Sequence, residues 1–346
     1  ASTHFSLEEN VDPILIGSYV YFPFTRGEFT GVRELSLTAT TETYDAVEIT
    51  EHVPAYIPNN IIEITGTTSE DVIALLSNKV NTDGTNQRNE LCIYKYFWSN
   101  NQKVLSSWSK FNFTGEIRGM QFIESTLYMV MVNNNQTHLV EMPMEAGLTD
   151  DEGFNTHLDM RVKVAVTQNQ INIPLPWKAS TTDKVEVWTK DGAYLESTPT
   201  DLGAFALTLS QRISEDGYVW VGIPYTMKYK FSEQIFKAPA GKGSSPSDFT
   251  KLMLRNLALF YNNTAAFKVK VAPKFRPETT AEFTSTVIGA SEIGSLDLDS
   301  GAFRTSLFTK AEDTSIIIES DSALPCSFQS AEFEAFTHPR SNRYNS

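Results

Sequence analysis

Apolar and polar residues alternate in short segments along the first 148 residues, and turns rich in Asn, Ser and Gly separate the segments. An alternation with a period of two indicates a β-strand that buries one of its faces. Many such strands at even spacing are typical of an all-β sandwich, barrel or propeller. The predicted strands are PILIG, SYVYFPF, VRELSLT, VIALLS, ELCIYKYF, SWSKFNF, IRGMQFI, TLYMVMV and THLVEM.

A loose repeat runs through these strands. Ile14, Ile62 and Ile117 each introduce a strand group, and the groups lie about fifty residues apart, which is the size of a propeller blade. A propeller closes with about 4 to 8 blades, and three blades alone would leave unpaired edges. The chain also opens on ASTHFSLEEN, without an initiator Met. We therefore predict that residues 1–148 are a partial β-propeller whose remaining blades lie in an absent N-terminal portion; the alternative is an architecture other than a propeller.

The segment YDAVEITEHVPAYIPNNIIEI, from Tyr44 to Ile64, breaks the alternation at Pro54 and Pro58. Proline lacks the N–H that a strand ladder needs and fixes φ, so neither residue fits inside a central strand. We predict a stiff connector between two strand systems, with Tyr44 and Tyr56 available to pack beneath it.

The pattern changes at the acidic loop GLTDDEGFN, residues 147–155, and strand-like segments continue beyond it. We predict a β-sandwich-like region over residues 149–346. Within it, Glu215-Asp216-Gly217 is a type I′ hairpin signal. The stretch APAGKGSSPS, residues 238–247, concentrates Gly, Ser and Pro, and predicts a flexible loop.

The segment LMLRNLALFYNNT is compatible with a helix or a strand. A helix could be capped by Ser247-Asp248. We favour a strand, because the β-rich segment AFKVKVAP follows directly. In that interpretation one face carries Leu252, Leu254, Ala258 and Phe260.

The composition supports a large, strand-rich core, since 41% of the 346 residues are hydrophobic and 12% are aromatic. No apolar run approaches the roughly 20 residues that span a bilayer, and no signal peptide is visible. The net charge of −14 is opposite to the basic surplus of proteins that grip nucleic acid. By charge alone we favour the ordinary interpretation, since many soluble proteins are acidic; the alternative is a conduit along which DNA slides without sticking.

The residues offer little catalytic chemistry. The sequence has no G-x-S-x-G or H-E-x-x-H motif, and its five histidines lack metal-ligand spacing. Carboxylate groups such as Asp150-Asp151-Glu152, and the pair Asp297 and Asp299, fall in predicted turns and are interpreted as solvated residues. Cys92 and Cys326 are expected to be buried thiols, with a disulfide as the alternative. We expect no catalytic residue, no cofactor and no metal.

A series of collinear motifs extends over nearly the whole chain. The connector EITEHVPAYI is one, and IYKYFW followed by QKVLSSWSKF is another, with Phe111 where a second Trp is usual. The others are PILIGSYVYF, GVREL, GYVWVGIPYTMKYKF, Leu254-Arg255 with YNNTAAFKVKV, and SAEFEAFTHPRSNR. Together they resemble tail tubular protein B, the nozzle protein family of short-tailed podovirus bacteriophages.

The resemblance implies the C-terminal portion of a structural virion protein. Members form a sixfold ring at the distal end of the tail, below an adaptor ring of tail tubular protein A and near the tail fibres. They retain and conduct double-stranded DNA during ejection, and they meet the host envelope during infection. The resemblance therefore implies a tail protein that is assembled in the bacterial cytoplasm. Lys242, Arg340 and Arg343 are candidate contacts for a partner or for DNA; for Lys242 we favour the alternative that it is part of an ordinary hairpin loop.

Two other functions stay open from the residues themselves. A tail-associated glycan-binding or glycan-hydrolysing propeller would need two carboxyl groups roughly 5 to 9 Å apart beside aromatic platforms. Trp108, Trp177, Trp188 and Trp220 could supply such platforms. The third possibility is a secreted β-propeller binding module, which the absence of an export signal opposes weakly.

Overall fold

The computed structural model describes residues 6–38, 43–54, 56–80, 86–99, 102–145, 147–179, 184–199, 204–235, 250–285 and 296–339. In these ranges the regular elements are β-strands and one 3₁₀ turn, Ala311–Asp313, so the all-β prediction is confirmed. The chain divides into two compact units, Ala1–Gly147 and Leu148–Ser346.

The described residues of the first unit form three antiparallel sheets and a short ribbon. Sheet A is formed by β1–β5, sheet B by β6, β7, β10 and β11, and sheet C by β12–β14; β8 and β9 form a separate two-stranded ribbon. The strands are β1 (Ser6–Leu7), β2 (Ile14–Ile16), β3 (Tyr19–Arg26), β4 (Phe29–Thr38), β5 (Thr43–Glu48), β6 (Ile61–Thr67), β7 (Val72–Ser77), β8 (Lys79–Val80), β9 (Asn86–Gln87), β10 (Glu90–Ser99), β11 (Gln102–Asn112), β12 (Glu116–Ile123), β13 (Thr126–Asn133) and β14 (Gln136–Pro143). The groups that begin near Ile14, Ile62 and Ile117 are thus three separate sheets.

Sheets A and B contact each other through β2 and β6. Gly66 on β6 faces the side chains of Ile14 and Ile16 on β2, and a Cβ at this position would overlap the Cδ1 atom of Ile16. The same Cβ would lie 2.9 Å from the carbonyl oxygen of Val72. The close approach of the two strands therefore requires glycine at position 66.

Sheets B and C contact each other through β6 and β12. Glu63 on β6 accepts a hydrogen bond from the amide of Met120 at 3.1 Å, and the Thr65 hydroxyl accepts one from the amide of Phe122 at 3.5 Å. Burial raises the pKa of Glu63, and the amide of Met120 lowers it. Side chains of one sheet thus satisfy backbone donors of the next.

The proline connector lies between β5 and β6, as predicted. Pro54 and Pro58 are outside strands, and Ile57 between them is buried in the core of the unit. Tyr56 packs against the same core, while the side chain of Tyr44 lies outside the described part of the chain.

In the second unit, the residues that the structure describes form four antiparallel sheets. Sheet D is formed by β15, β21, β17 and β18, sheet E by β16, β20 and β19, sheet F by β22, β27, β24 and β25, and sheet G by β26, β23 and β28. The strands are β15 (Asp159–Val166), β16 (Asn172–Ala179), β17 (Glu186–Thr189), β18 (Tyr194–Leu195), β19 (Ser197–Pro199), β20 (Ala204–Leu209), β21 (Gly217–Ile223), β22 (Met227–Lys230), β23 (Thr250–Thr264), β24 (Ala266–Pro273), β25 (Thr279–Thr284), β26 (Asp299–Lys310), β27 (Thr314–Ser320) and β28 (Phe328–Pro339).

The described strands of this unit pack around two apolar cores. Sheets D and E share one, which includes the buried Trp177 on β16 and Val187 on β17. Sheets F and G share the other, which includes Leu257 on β23 and Phe267 on β24. Each core follows from the alternation of apolar and polar residues along the strands that face it.

The type I′ hairpin prediction for residues 215–217 is wrong. The strands on either side, β20 and β21, belong to different sheets, E and D. Ile213 is buried in the core between these sheets. Its burial directs the connecting segment from sheet E to sheet D. Asp216 accepts a hydrogen bond from the amide of Gln168 at 2.7 Å instead of closing a hairpin.

The strand prediction for residues 252–264 is confirmed by β23, but the predicted face is only half right. Leu254 is buried, and the register then shifts between Leu254 and Asn256. Beyond that bulge the buried residues are Leu257, Leu259 and Tyr261. One extra residue exchanges the two faces of a strand, so Ala258 and Phe260 lie on the face opposite to the one that was predicted.

Candidate functional site at the junction of sheets A and B

The candidate site begins with aromatic residues on β10. Tyr94, Tyr96 and Trp98 occupy alternate positions, so their side chains leave the strand on the same face. Trp108 lies opposite Tyr94 on β11, and the centroids of these two rings are 4.7 Å apart. These are the residues of the motif IYKYFW followed by QKVLSSW.

Sheet A supplies rings that meet this row. Tyr19 on β3 stacks on Trp98 with a centroid distance of 5.4 Å and an interplanar angle of 20°. Tyr21, two residues further and fully buried, lies 6.3 Å from Tyr96. Aromatic pairs contribute about 0.5–1.5 kcal/mol each beyond the burial of their area. The rings therefore hold the two sheets together.

A buried ion pair completes the junction. The ammonium of Lys103 on β11 pairs with the carboxylate of Glu34 on β4. Their side chains are only 17% and 9% exposed. The ammonium also lies 4.9 Å from the ring centroid of Tyr96 and 5.2 Å from that of Trp98. Removing one partner of a buried ion pair leaves an uncompensated charge, which costs about 3–5 kcal/mol.

Two tyrosines of the junction, Tyr21 and Tyr96, have raised pKa values. Burial raises the pKa of Tyr21, and the carboxylate of Glu34 raises it further. Burial is also the main cause that raises the pKa of Tyr96 to about 12. Burial therefore favours the neutral form of these two hydroxyls.

Residues of the connector and of β5 also contact the junction. The indole N–H of Trp108 donates to the carbonyl oxygen of Ile49 at 3.2 Å, and the ammonium of Lys110 lies 4.8 Å from the ring centroid of Tyr56. Arg33 pairs with Glu48 at 3.9 Å. The motifs IYKYFW, QKVLSSW, GVREL and the proline connector thus meet in one place, which their order in the sequence does not reveal.

A cleft of about 380 Å³ opens at this junction, and it bears on the hydrolase alternative. It is lined by Glu34, Val47, Glu48, Ile49, His52, Tyr94, Trp98, Lys103 and Ser106. The two carboxylates are each paired with a cation, Lys103 or Arg33. The ring of Trp98 is already stacked on Tyr19. A general acid and a sugar platform would both need these groups to be free, so the arrangement favours a structural junction.

Other candidate residues are distributed over the second unit. Asp150 pairs with Arg161 at 2.7 Å, and Asp151 pairs with Lys163. Asp299 was predicted in a turn, but it begins β26 and accepts a hydrogen bond from the Tyr261 hydroxyl at 2.8 Å, because β23 and β26 pair there.

The basic candidates are Lys242, Arg340 and Arg343, and all three lie outside the described residues. Within the described ranges, no group of three His, Cys, Asp or Glu residues could hold a metal ion. The same ranges contain no helix of the length and apolarity needed to cross a membrane. The thiols are free: Cys92 is buried, as predicted, whereas Cys326 is half-buried.

Comparison with known proteins identifies a family. The family model described as bacteriophage nozzle protein matches residues 1–344. Tail tubular protein gp12 of Escherichia phage T7 is 26% identical over 349 aligned positions, which cover 94% of this chain and 42% of that protein. The chain thus spans about two fifths of the length of this curated relative.

Among solved structures, the exo-β-1,3-galactanase of Phanerochaete chrysosporium with galactose aligns over 93% of this chain and 95% of its own, at 8% identity and a TM-score of 0.20. A variant of the same enzyme with β-1,3-galactotriose aligns over 93% of this chain and 94% of its own, at 9% identity and the same TM-score. Overlap at this level does not establish a common fold. The match to the family model, in contrast, extends over almost every residue, and the chain belongs to the bacteriophage nozzle protein family.

Proposed function

We propose that this chain is part of the wall of a tail nozzle, a homohexameric ring that retains phage DNA and conducts it during ejection. The family match over residues 1–344 carries this proposal. The buried junction of sheets A and B supports it, because a wall that withstands the passage of DNA needs sheets that are held rigidly together. In this role the protein acts through the shape of the channel that it encloses, without catalysis and without a cofactor.

The architecture that fits this role is a partial β-propeller over residues 1–148, followed by a β-sandwich-like region over residues 149–346. Propeller blades are antiparallel sheets of about four strands that are arranged side by side. Sheets A, B and C are antiparallel, and β6 contacts both β2 and β12. Those three strands carry Ile14, Ile62 and Ile117, so the sequence repeat and the sheet contacts have the same order. Two cores, each shared by two sheets, support the sandwich-like description of the second region.

The partners of the ring would be an adaptor ring of tail tubular protein A, tail fibres and, during infection, the host envelope. The protein would be assembled in the bacterial cytoplasm and remain in the virion tail. A net charge of −14 favours the passage of duplex DNA without tight binding. Lys242, Arg340 and Arg343 are the residues that we propose for contacts with partners or DNA.

Electron microscopy of the purified full-length protein tests the ring. We expect particles with sixfold rotational symmetry and a central channel, and a mass close to six subunits. A protein that stays monomeric at micromolar concentration would overturn the nozzle assignment, since a heterologous interface must close to form a ring.

The glycan-hydrolase alternative is tested at the junction cleft. Glu34→Gln and Glu48→Gln would abolish turnover of host glycans if these carboxylates were catalytic, whereas Glu141→Gln on sheet C is a control with the same change in charge. We expect no glycan turnover from the unmodified protein. Turnover that either cleft variant abolishes and the control retains would favour the hydrolase.

A further inference from the structure

The outer face of sheet D carries a row of aromatic residues. The register places Lys163, Trp220, Trp188 and Tyr194 side by side across β15, β21, β17 and β18. The alternate residues, such as Val187, point into the core that sheet D shares with sheet E. The aromatic row is therefore on the surface of the second unit, and Tyr194 is 48% exposed.

One half of this row is covered by cations of the same chain. The guanidinium of Arg161 lies 4.2 Å from the ring centroid of Trp220 and pairs with Asp150 at 2.7 Å. The ammonium of Lys163 lies 3.9 Å from the ring centroid of Tyr218 and pairs with Asp151. Each of these two cations thus contacts an aromatic ring and is paired with a carboxylate.

The other half of the row, Trp188 and Tyr194, also has carboxylates beside its rings. The centroids of Trp188 and Tyr194 are 5.4 Å apart, with the ring planes at 57°. Glu186 accepts a hydrogen bond from the Trp188 indole N–H at 2.8 Å. Glu196 lies two residues after Tyr194, and both residues are exposed, whereas Leu195 between them is buried. Burial raises the pKa of Tyr194, and the charges of Glu186 and Glu196 raise it further.

Within the part of the chain that the structure describes, this half lacks the cation. Among the described residues, no Lys or Arg lies over the ring of Trp188 or Tyr194, and none pairs with Glu186 or Glu196. Lys190 is close in sequence, but it pairs with Glu215 at 3.5 Å. The surface is also reached easily, because β18 is the edge strand of sheet D.

We propose that Trp188, Tyr194, Glu186 and Glu196 form a receptor for an arginine of the C-terminal segment of a second copy of this chain. Residues 335–346, AFTHPRSNRYNS, contain Arg340 and Arg343 and no acidic residue, so their charge is complementary to the receptor. A guanidinium stacks on aromatic faces and binds carboxylates through its planar N–H groups. The receptor and the segment are different parts of one chain, as in a heterologous contact that repeats around a ring. This proposal rests on the ring proposed above.

Peptide binding tests the contact directly. The probe is a fluorescein-labelled peptide of residues 335–346, and the receptor is the full chain carrying Arg340→Gln and Arg343→Gln, which removes competition from its own segment. We expect saturable binding by fluorescence anisotropy that weakens as salt is raised. Tyr194→Ala and Glu186→Gln should each weaken binding about tenfold, the loss expected from one cation–π or charged contact.

Two controls match these variants. Phe205→Ala removes another aromatic residue of the same unit with nearly equal exposure, 49%, and Glu141→Gln removes a carboxylate elsewhere; neither should change binding. Equal thermal midpoints for all variants show that they fold. The proposal is overturned if the peptide does not bind, if a peptide with both arginines changed to Gln binds equally well, or if Tyr194→Ala and Phe205→Ala behave alike. A sixfold ring without peptide binding would reject the contact and retain the nozzle.

Discussion

The ammonium of Lys103 is paired with the carboxylate of Glu34 across two sheets, 69 residues apart in the sequence. The pair lies among Tyr94, Tyr96 and Trp98, each of which has its ring centroid within 5.4 Å of the ammonium. This salt bridge joins β4 of sheet A to β11 of sheet B. It therefore stabilises the packing of the two sheets, which an ion pair between strands of a single sheet would not do.

We expect Lys103→Met to destabilise the first unit by about 3 kcal/mol, because Glu34 would remain buried and unpaired. The double variant Lys103→Met with Glu34→Gln should recover most of this loss, since it removes the second charge as well. Urea unfolding followed by tryptophan fluorescence measures both changes in the free energy of unfolding.

Lys95→Met is the matched control for this substitution. Lys95 pairs with Glu70 at 3.2 Å, but its side chain is 44% exposed, and exposed pairs contribute about 0–1 kcal/mol. If Lys95→Met and Lys103→Met lower the free energy of unfolding by the same amount, then the buried ion pair does not hold sheets A and B together as we infer.

Gly66→Ala tests the contact between β2 and β6. The added Cβ would overlap the Cδ1 atom of Ile16 and press on the carbonyl oxygen of Val72, and such overpacking costs about 1–3 kcal/mol. Gly119→Ala on β12 is the control, because a Cβ there meets nothing within 4 Å. Thermal denaturation should separate the two variants; a neutral Gly66→Ala would show that the strands are further apart than described.

The elements that were predictable from the sequence are those that depend on local pattern. Alternation gave the strands of the first unit, and the chemistry of Pro54 and Pro58 gave the connector between β5 and β6. The prediction of which residues of β23 face the core failed beyond Leu254, because a bulge of one residue near Asn256 exchanges the two sides of the strand. The local sequence pattern does not indicate where such a residue is inserted.

The site was harder to predict, because it depends on which sheets meet. GVREL and QKVLSSW were recognised as motifs, yet the pairing of Glu34 with Lys103 requires the fold that brings sheets A and B together. The hairpin expected at residues 215–217 failed for a related reason. Burial of Ile213 between sheets D and E decided the path of the chain there, and turn residues carry no information about that burial.

Asp159 predicts a pH dependence in the second unit. Burial raises the pKa of its carboxyl from 3.8 to about 6. The folded state therefore holds this proton more tightly than the unfolded state, and the stabilisation is present below pH about 4 and lost as the pH rises through about 6. We expect Asp159→Asn to be more stable than the unmodified chain at pH 7 by about 1–2 kcal/mol, and the difference to shrink toward pH 4. Thermal midpoints between pH 4 and pH 7 measure this, and parallel profiles would contradict it.

The two cysteines allow the units to be observed separately, because Cys92 lies in the first and Cys326 in the second. Burial raises the pKa of Cys92 to about 12 and that of Cys326 to about 11, so neither folded thiol is a good nucleophile at pH 8. Alkylation by iodoacetamide should thus report unfolding of the unit that holds the labelled residue. We expect Lys103→Met to accelerate labelling of Cys92 by about 100-fold while Cys326 is labelled at its original rate, since about 1.4 kcal/mol corresponds to a tenfold change in the open population. Mass spectrometry of the two cysteine peptides measures the two labelling rates.

Equal acceleration at both residues would mean that the units unfold together, and that the junction stabilises the whole chain instead of the first unit alone.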